Sequence, residues 1–217
     1  MEGQRETRLY DAALGGDVPS LLELLRDDPL ILDRCIIEKS CRFVQSPLHV
    51  ATNHGHLEFI KEILCHKAEL AEELDQSKRW SPLHIASAKG HLEILKELLA
   101  VNSSMCFVRD QDGRNVIHVA AMNGQIQVLG VLLRAKPQAA RERTTDGETV
   151  LHLCVKHVSH RLLCSWYELW VMLSFLTPRI VMVILSYTYQ SQLNITSPLS
   201  SYSRTRGWRK MQSTPMA

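Results

Sequence analysis

The stretch Ser81-Pro82-Leu83-His84-Ile85-Ala86-Ser87-Ala88-Lys89-Gly90-His91-Leu92-Glu93 decides the fold. Ser81 suits a helix N-cap, because its hydroxyl can accept a bond from a free amide of the first turn. Pro82 then falls at the first helical position, where a missing N–H costs nothing. Leu83, Ile85 and Ala86 open a short helix with an apolar face. Gly90 stops it, as the residue that enters the left-handed region most cheaply. A second helix runs through Leu92, Leu95, Leu98 and Leu99, whose spacing makes one apolar stripe. Helices near ten residues are too short to hold alone. Two of them back to back still leave a face bare.

Neighbouring copies supply the cover. The opening phrase recurs as Ser46-Pro47-Leu48-His49, Ser81-Pro82-Leu83-His84, Asn115-Val116-Ile117-His118 and Thr149-Val150-Leu151-His152, at steps of 35, 34 and 34 residues. A fixed period of this size marks stacked repeats. The glycine stop recurs at Gly55, Gly90 and Gly124. The stripe recurs as Leu57/Ile60/Ile63/Leu64 and Ile126/Leu129/Leu132/Leu133. Ala51, Ala86, Ala120 and Ala121 place small residues where helices approach closely. Asp110-Gln111-Asp112-Gly113 and Thr144-Thr145-Asp146-Gly147 suit tight β-type turns. The unit reads turn, helix, helix, and the fold class is an all-α solenoid with a non-repeat C-terminal tail.

These residues resemble the ankyrin repeat, D-x-x-G-x-T-P-L-H-x-A-A-x-x-G-H-x-E, with a period of about 33. The resemblance covers residues 5 to about 157 and assigns 1–157 to an ankyrin-repeat domain. A degenerate first repeat spans about 5–38, in which Leu9, Ala12, Gly16 and Val18 match Leu48, Ala51, Gly55 and Leu57, and Tyr10 replaces the histidine. An atypical first unit is what a terminal cap requires. Further repeats start near 42, 77 and 111, and a truncated one starts at 145. The long loops Asn102–Asp110 and Lys136–Arg143, with the run Gly147–Lys156, resemble a plant subset of the family. In that subset the repeats precede a C-terminal membrane region opened by Pro-Gly-Gly, and members act in immune and cell-death signalling. No Pro-Gly-Gly occurs in this chain.

Charge divides the chain. Residues 1–157 hold 19 Lys+Arg against 22 Asp+Glu, whereas 158–217 hold 6 against 1. The tail departs from the period at Val158, where a glycine is due. Its window 162–189 contains 20 apolar residues in 28, with Glu168 and Thr177-Pro178-Arg179 as interruptions. Three readings stand: a membrane segment, a divergent helix pair capping the stack, or the translation of a retained intron or shifted frame. A glutamate at the centre of a spanning helix costs roughly 2.5–3.5 kcal/mol if it behaves as aspartate does. A half repeat also leaves the stripe of the fourth repeat partly bare unless the tail covers it.

Nothing in the sequence points to chemistry. No phosphate loop, dinucleotide fingerprint, HExxH or nucleophile elbow is present. We therefore expect no enzyme, no cofactor and no small-molecule substrate. Of ten histidines, His49, His84, His118 and His152 hold one repeat position, where the resemblance assigns structural hydrogen bonds. His54 and His56 lack a third ligand nearby, so no metal is expected. The slightly acidic repeats oppose phosphate attraction, so no nucleic acid is expected. Six scattered cysteines without a CxxC and a charged N-terminus without an apolar run indicate reduced thiols and a cytoplasmic repeat region. The plasma membrane, cytoplasmic side, is the alternative site through 162–189.

The resemblance places protein partners on a concave surface of turn tips and first-helix positions. Carried onto this chain, the tips are Phe43, Gln45, Lys78, Trp80, Gln111, Asp112, Arg114, Asp146 and Glu148. The helix positions are Asn53, His54, Ala88, Lys89, Met122 and Asn123. The structural motif comprises Ser46, His49, Gly55, Ser81, His84, Gly90, Asn115, His118, Gly124, Thr149 and His152. Trp80 stands among polar equivalents, so it either anchors a partner or packs on the adjacent turn. The function expected is a non-catalytic scaffold, in plant defence or stress signalling, or else a membrane-anchored signalling protein.

Overall fold

The helices stack in two rows. In the computed structural model, residues 2–37 and 45–157 are described. Residues 38–44, with Phe43, and 158–217, with the whole tail and the window 162–189, lie outside the described residues. The first row is α1 (Glu2–Gly15), α4 (Pro47–His54), α6 (Pro82–Lys89), α8 (Val116–Met122) and α10 (Val150–His157). The second row is α2 (Val18–Asp27), α5 (Leu57–His66), α7 (Leu92–Val101) and α9 (Ile126–Ala135). A short helix α3 (Ile31–Ile37) follows α2. Successive members of each row pack on one another, and α1 packs on α2, α4 on α5, α6 on α7 and α8 on α9. Among the described residues there is no strand, and no helix is long and apolar enough to cross a membrane.

The apolar positions read from the period form one continuous core from Leu9 to Cys154. Leu48, Leu83 and Ile117, which precede His49, His84 and His118, are fully buried, as is Leu9 before Tyr10. Ala51, Ala86 and Ala120 are fully buried where neighbouring first-row helices meet. Each buried leucine or isoleucine contributes roughly 1.5–3 kcal/mol relative to exposure, so the row gains with every neighbour added. Of the α9 stripe, Leu129, Leu132 and Leu133 are buried and Ile126 is half-buried.

The unit is richer than turn, helix, helix. The second-row helices α5, α7 and α9 are each followed by a five-residue 3-10 turn: Ala68–Glu72, Ser103–Phe107 and Pro137–Arg141. These occupy much of the segments expected as irregular loops. In each, the third and fourth residues are buried: Leu70 and Ala71, Met105 and Cys106, Ala139 and Ala140. Two small or apolar residues in tandem have no helical or strand period, so they do not read as an element in sequence. Their burial beneath the second helix winds the turn. Asn102 caps the middle one by accepting from the Ser104 amide at 2.9 Å.

One turn is longer than the others. Asp75 donates its amide to the Trp80 carbonyl at 2.8 Å, closing a loop of six residues. The later turns close over five, Asp110 to Arg114 at 2.9 Å and Thr144 to Glu148 at 2.9 Å. That added residue accounts for the 35-residue step between Ser46 and Ser81. The residue before the closing position takes positive φ in all three: Arg79 at 58°, Gly113 at 69° and Gly147 at 77°. Among the described residues Arg79 is the only non-glycine in that region. An L side chain there costs on the order of 1–2 kcal/mol.

Candidate partner-binding surface

Two of the motif histidines, His49 and His118, tie their repeat to the next. Nδ1 of His84 accepts the Ser81 amide at 3.2 Å, and Nδ1 of His118 accepts the Asn115 amide at 3.2 Å. A ring nitrogen that accepts an N–H carries no proton, so the proton sits on Nε2. Nε2 then points out of its own repeat as a donor. In His118 it bonds the Glu142 carbonyl at 3.2 Å, and in His49 the same nitrogen reaches the Trp80 carbonyl at 2.9 Å. Nε2 of His84 has no partner in hydrogen-bonding geometry. Tyr10 does in the first repeat what histidine does later, donating its hydroxyl to the Gln45 carbonyl at 2.6 Å. The tyrosine is a longer donor in the same place.

Burial sets the electrostatics of this ladder. His49, His84 and His118 are buried. Burial lowers all three imidazoles, opposed by the Trp80 backbone for His49 and the Glu142 backbone for His118. For His84 burial dominates the Asp110 charge and brings the value down to about 4. Charging the ring in a low-dielectric site is unfavourable, so these are neutral structural groups. The same physics acts on Cys106 and Cys154, whose thiols burial pushes up to about 11 and about 12. Cys65 is exposed, and all three are free. Cys41 and Cys164 lie outside the described residues.

A second ladder runs past the glycine stops. Gly16, Gly55 and Gly90 have φ of 69°, 84° and 81°. A Cβ on Gly90 would sit 2.4 Å from Gln125 Oε1, and one on Gly16 would sit 2.6 Å from the His56 ring. The residue after the next glycine therefore leans across the stop. His56 Nε2 contacts the Leu14 carbonyl at 2.9 Å, and Gln125 donates to the Ala88 carbonyl at 3.3 Å. Glycine is required here twice over, by its dihedral and by close approach.

The buried first residues of the turns, Asp75, Asp110 and Thr144, organise the tips. Asp75 Oδ1 accepts the amides of Lys78 at 3.0 Å and Trp80 at 2.8 Å. Asp110 Oδ1 accepts the amides of Asp112 at 2.9 Å and Arg114 at 2.8 Å. Thr144 takes the same role more weakly, accepting the Glu148 amide at 3.2 Å. Burial raises the Asp75 carboxyl, but the Trp80 and Lys78 amides and the Ser77 hydroxyl outweigh it and leave it lowered. The three residues stand 29 positions after Ser46, Ser81 and Asn115, and that spacing is the signal for them. Neighbouring tips are joined too: the Gln111 amide bonds the Lys78 carbonyl at 3.1 Å, and the Thr145 hydroxyl bonds the Asp112 carbonyl at 2.7 Å.

With the backbones tied, the candidate side chains divide cleanly. Asn53, His54, Lys78, Lys89, Gln111, Asp112, Asn123 and Asp146 are exposed. Gln45, Trp80, Ala88, Arg114, Met122 and Glu148 are half-buried. One tip neutralises itself, through Arg114–Asp112 at 2.6 Å, and at another Glu148 is paired with Lys156 of α10 at 2.8 Å. Trp80 packs on the adjacent turn: its indole donates to Asp110 Oδ2 at 3.2 Å and its ring stacks near His84 at 6.4 Å. The Lys78 ammonium stands 4.9 Å from the same ring. His54 and His56 stack at 5.9 Å. Among the described residues no group of three or more His, Cys, Asp or Glu side chains is placed to hold a metal ion.

A family model described as "Ankyrin repeats (3 copies)" matches residues 9–107 and again residues 83–166. No curated protein matches the chain.

Proposed function

The chain belongs to the ankyrin-repeat family, and on that premise we propose that it is a non-catalytic scaffold that engages its protein partners through the turn tips and the exposed ends of the first-row helices. Protein–protein interaction is the role such repeats suggest. One observation carries the choice of face. The tips and helix ends present eight exposed candidate side chains on backbones that hydrogen bonds already hold in register. A surface held in shape before binding avoids part of the ordering cost of association. The face is concave in this reading, and the repeats work in the cytoplasm, in plant defence or stress signalling, as the resemblance to the plant subset implies.

The test sets this face against the second row. A partner is captured with the full chain as bait, then challenged with Met122→Arg combined with Asn123→Arg, and separately with Glu93→Lys on α7. Loss with the first variant and retention with the second is the expected result. The opposite pattern moves the binding face to the second row and ends this reading.

A further inference from the structure

We propose that the long turn Asp75–Trp80 is the docking point for an acidic segment of a protein partner, whose carboxylates pair with Lys78, Arg79 and Lys89. The proposal rests on the reading above and names the chemistry that this part of the surface selects.

The first observation is an imbalance of charge between equivalent turns. Arg114 is matched by Asp112, and Glu148 is matched by Lys156. Lys78 and Arg79 are exposed, and among the described residues neither forms an ion pair. The nearby anions are occupied elsewhere. Both oxygens of Asp75 bond within its own turn, to the Lys78 and Trp80 amides and the Ser77 hydroxyl. Asp110 accepts two amides and the Trp80 indole. Two cations are thus presented without an ion-pair partner among the described residues.

The second observation is the geometry that presents them. This turn is the one with the added residue, and Arg79 stands in the left-handed region where the equivalent turns have glycine. Strain of this kind persists where the surroundings impose it, and it clusters at ligand clamps. Here it pushes an arginine to the tip. Trp80 is held by Asp110 and carries the Lys78 ammonium over its ring. A tryptophan already held in place loses little entropy on contact, and Trp and Arg are the residues most enriched at interface hot spots.

The third observation is reach. Lys89 is exposed at the far end of α6, whose first residue, Pro82, follows the turn by two positions. Eight helical residues span about 12 Å at 1.5 Å each. An extended peptide covers that in about four residues. A segment with acidic residues at both ends of such a stretch and an apolar residue near Trp80 meets all three cations.

The probe is a fluorescein-labelled octapeptide, rich in glutamate with one central leucine, titrated with the full chain at low salt. Saturable binding that weakens as salt rises is expected. Combining Lys78→Glu with Arg79→Glu should loosen it at least tenfold, and Lys89→Glu several-fold. Arg79→Gly removes one charge while giving the position the residue its dihedral favours, so it keeps the fold and should also loosen binding several-fold. Absence of saturable binding, an unchanged affinity in these variants, or equal binding of a lysine-rich octapeptide overturns the proposal. Partner capture that survives Lys78→Glu with Arg79→Glu but is lost with Met122→Arg retires the acidic docking point and leaves the scaffold reading standing.

Discussion

His84 and His152 open with the same local chemistry and end in different environments. Nδ1 of each accepts the backbone amide of the residue three before it, from Ser81 at 3.2 Å and from Thr149 at 3.3 Å. Both lie next to that residue's hydroxyl, at 2.8 and 2.7 Å. Yet His84 is fully buried with its imidazole lowered to about 4, while His152 is exposed. The capping geometry is a property of four consecutive residues. The burial is a property of the repeat that follows, because the turn at Asp110 to Arg114 closes over His84. A repeated motif therefore has constant form and position-dependent energy, as a stack of nearest neighbours should.

The largest test of that contrast is truncation of each ring. His84→Ala should destabilise the chain by about 4 kcal/mol, through a cavity and an unpaired buried amide. His152→Ala should cost under about 1 kcal/mol. Denaturant midpoints of the two variants decide it, and similar losses would break the comparison.

Acid should act on the buried rings next. The folded values of His49, His84 and His118 lie below the unfolded value of 6.5. The unfolded chain therefore binds more protons below pH 6.5. Stability is full above that pH and falls as pH drops from 6.5 to about 4, the folded value of His84. His84 alone accounts for roughly 3 kcal/mol of this loss. Unfolding curves at pH 7 and pH 4 measure it. A His84→Gln variant should show a shallower acid loss; an unchanged slope would remove His84 as its source.

Asp110→Ala sharpens the comparison at the turns. It strips acceptors from the Asp112 and Arg114 amides and from the Trp80 indole, so a loss of about 2–3 kcal/mol is expected. Asp146→Ala, at an exposed tip, should change stability by less than about 0.5 kcal/mol. Thermal melts of the pair provide the readout.

The glycine stops give the smallest contrast. Gly90→Ala meets both a φ of 81° and a Gln125 oxygen 2.4 Å from the new Cβ. Gly124→Ala meets only its φ of 67°, with nothing within 4 Å. The second should cost about 1 kcal/mol and the first about 1–2 kcal/mol more. Equal costs would mean that the Gln125 side chain swings away freely.

Much of this molecule could be read before any coordinate. The helix starts at Ser46, Ser81 and Asn115 and the stops at Gly55 and Gly90 fall where capping rules put them. The 3-10 turns could not, because Leu70-Ala71, Met105-Cys106 and Ala139-Ala140 are pairs without a period. Of the candidate surface, its positions came from the repeat register. Which of its charges are matched internally did not, since Arg114–Asp112 and Lys156–Glu148 depend on rotamers and on neighbouring helices.

By itself, then, the order of residues determined the period, the caps, the left-handed stops and the alternation of helices, because each of those depends on groups within a few positions of one another. Tertiary structure alone decided the bonds from Tyr10 to Gln45, His49 to Trp80, Trp80 to Asp110 and Gln125 to Ala88. Those pairs lie 30 to 37 residues apart, and only stacking one hairpin on the next brings their atoms within reach. The buried histidines follow from the same cause: a ring is dry only when another repeat covers it.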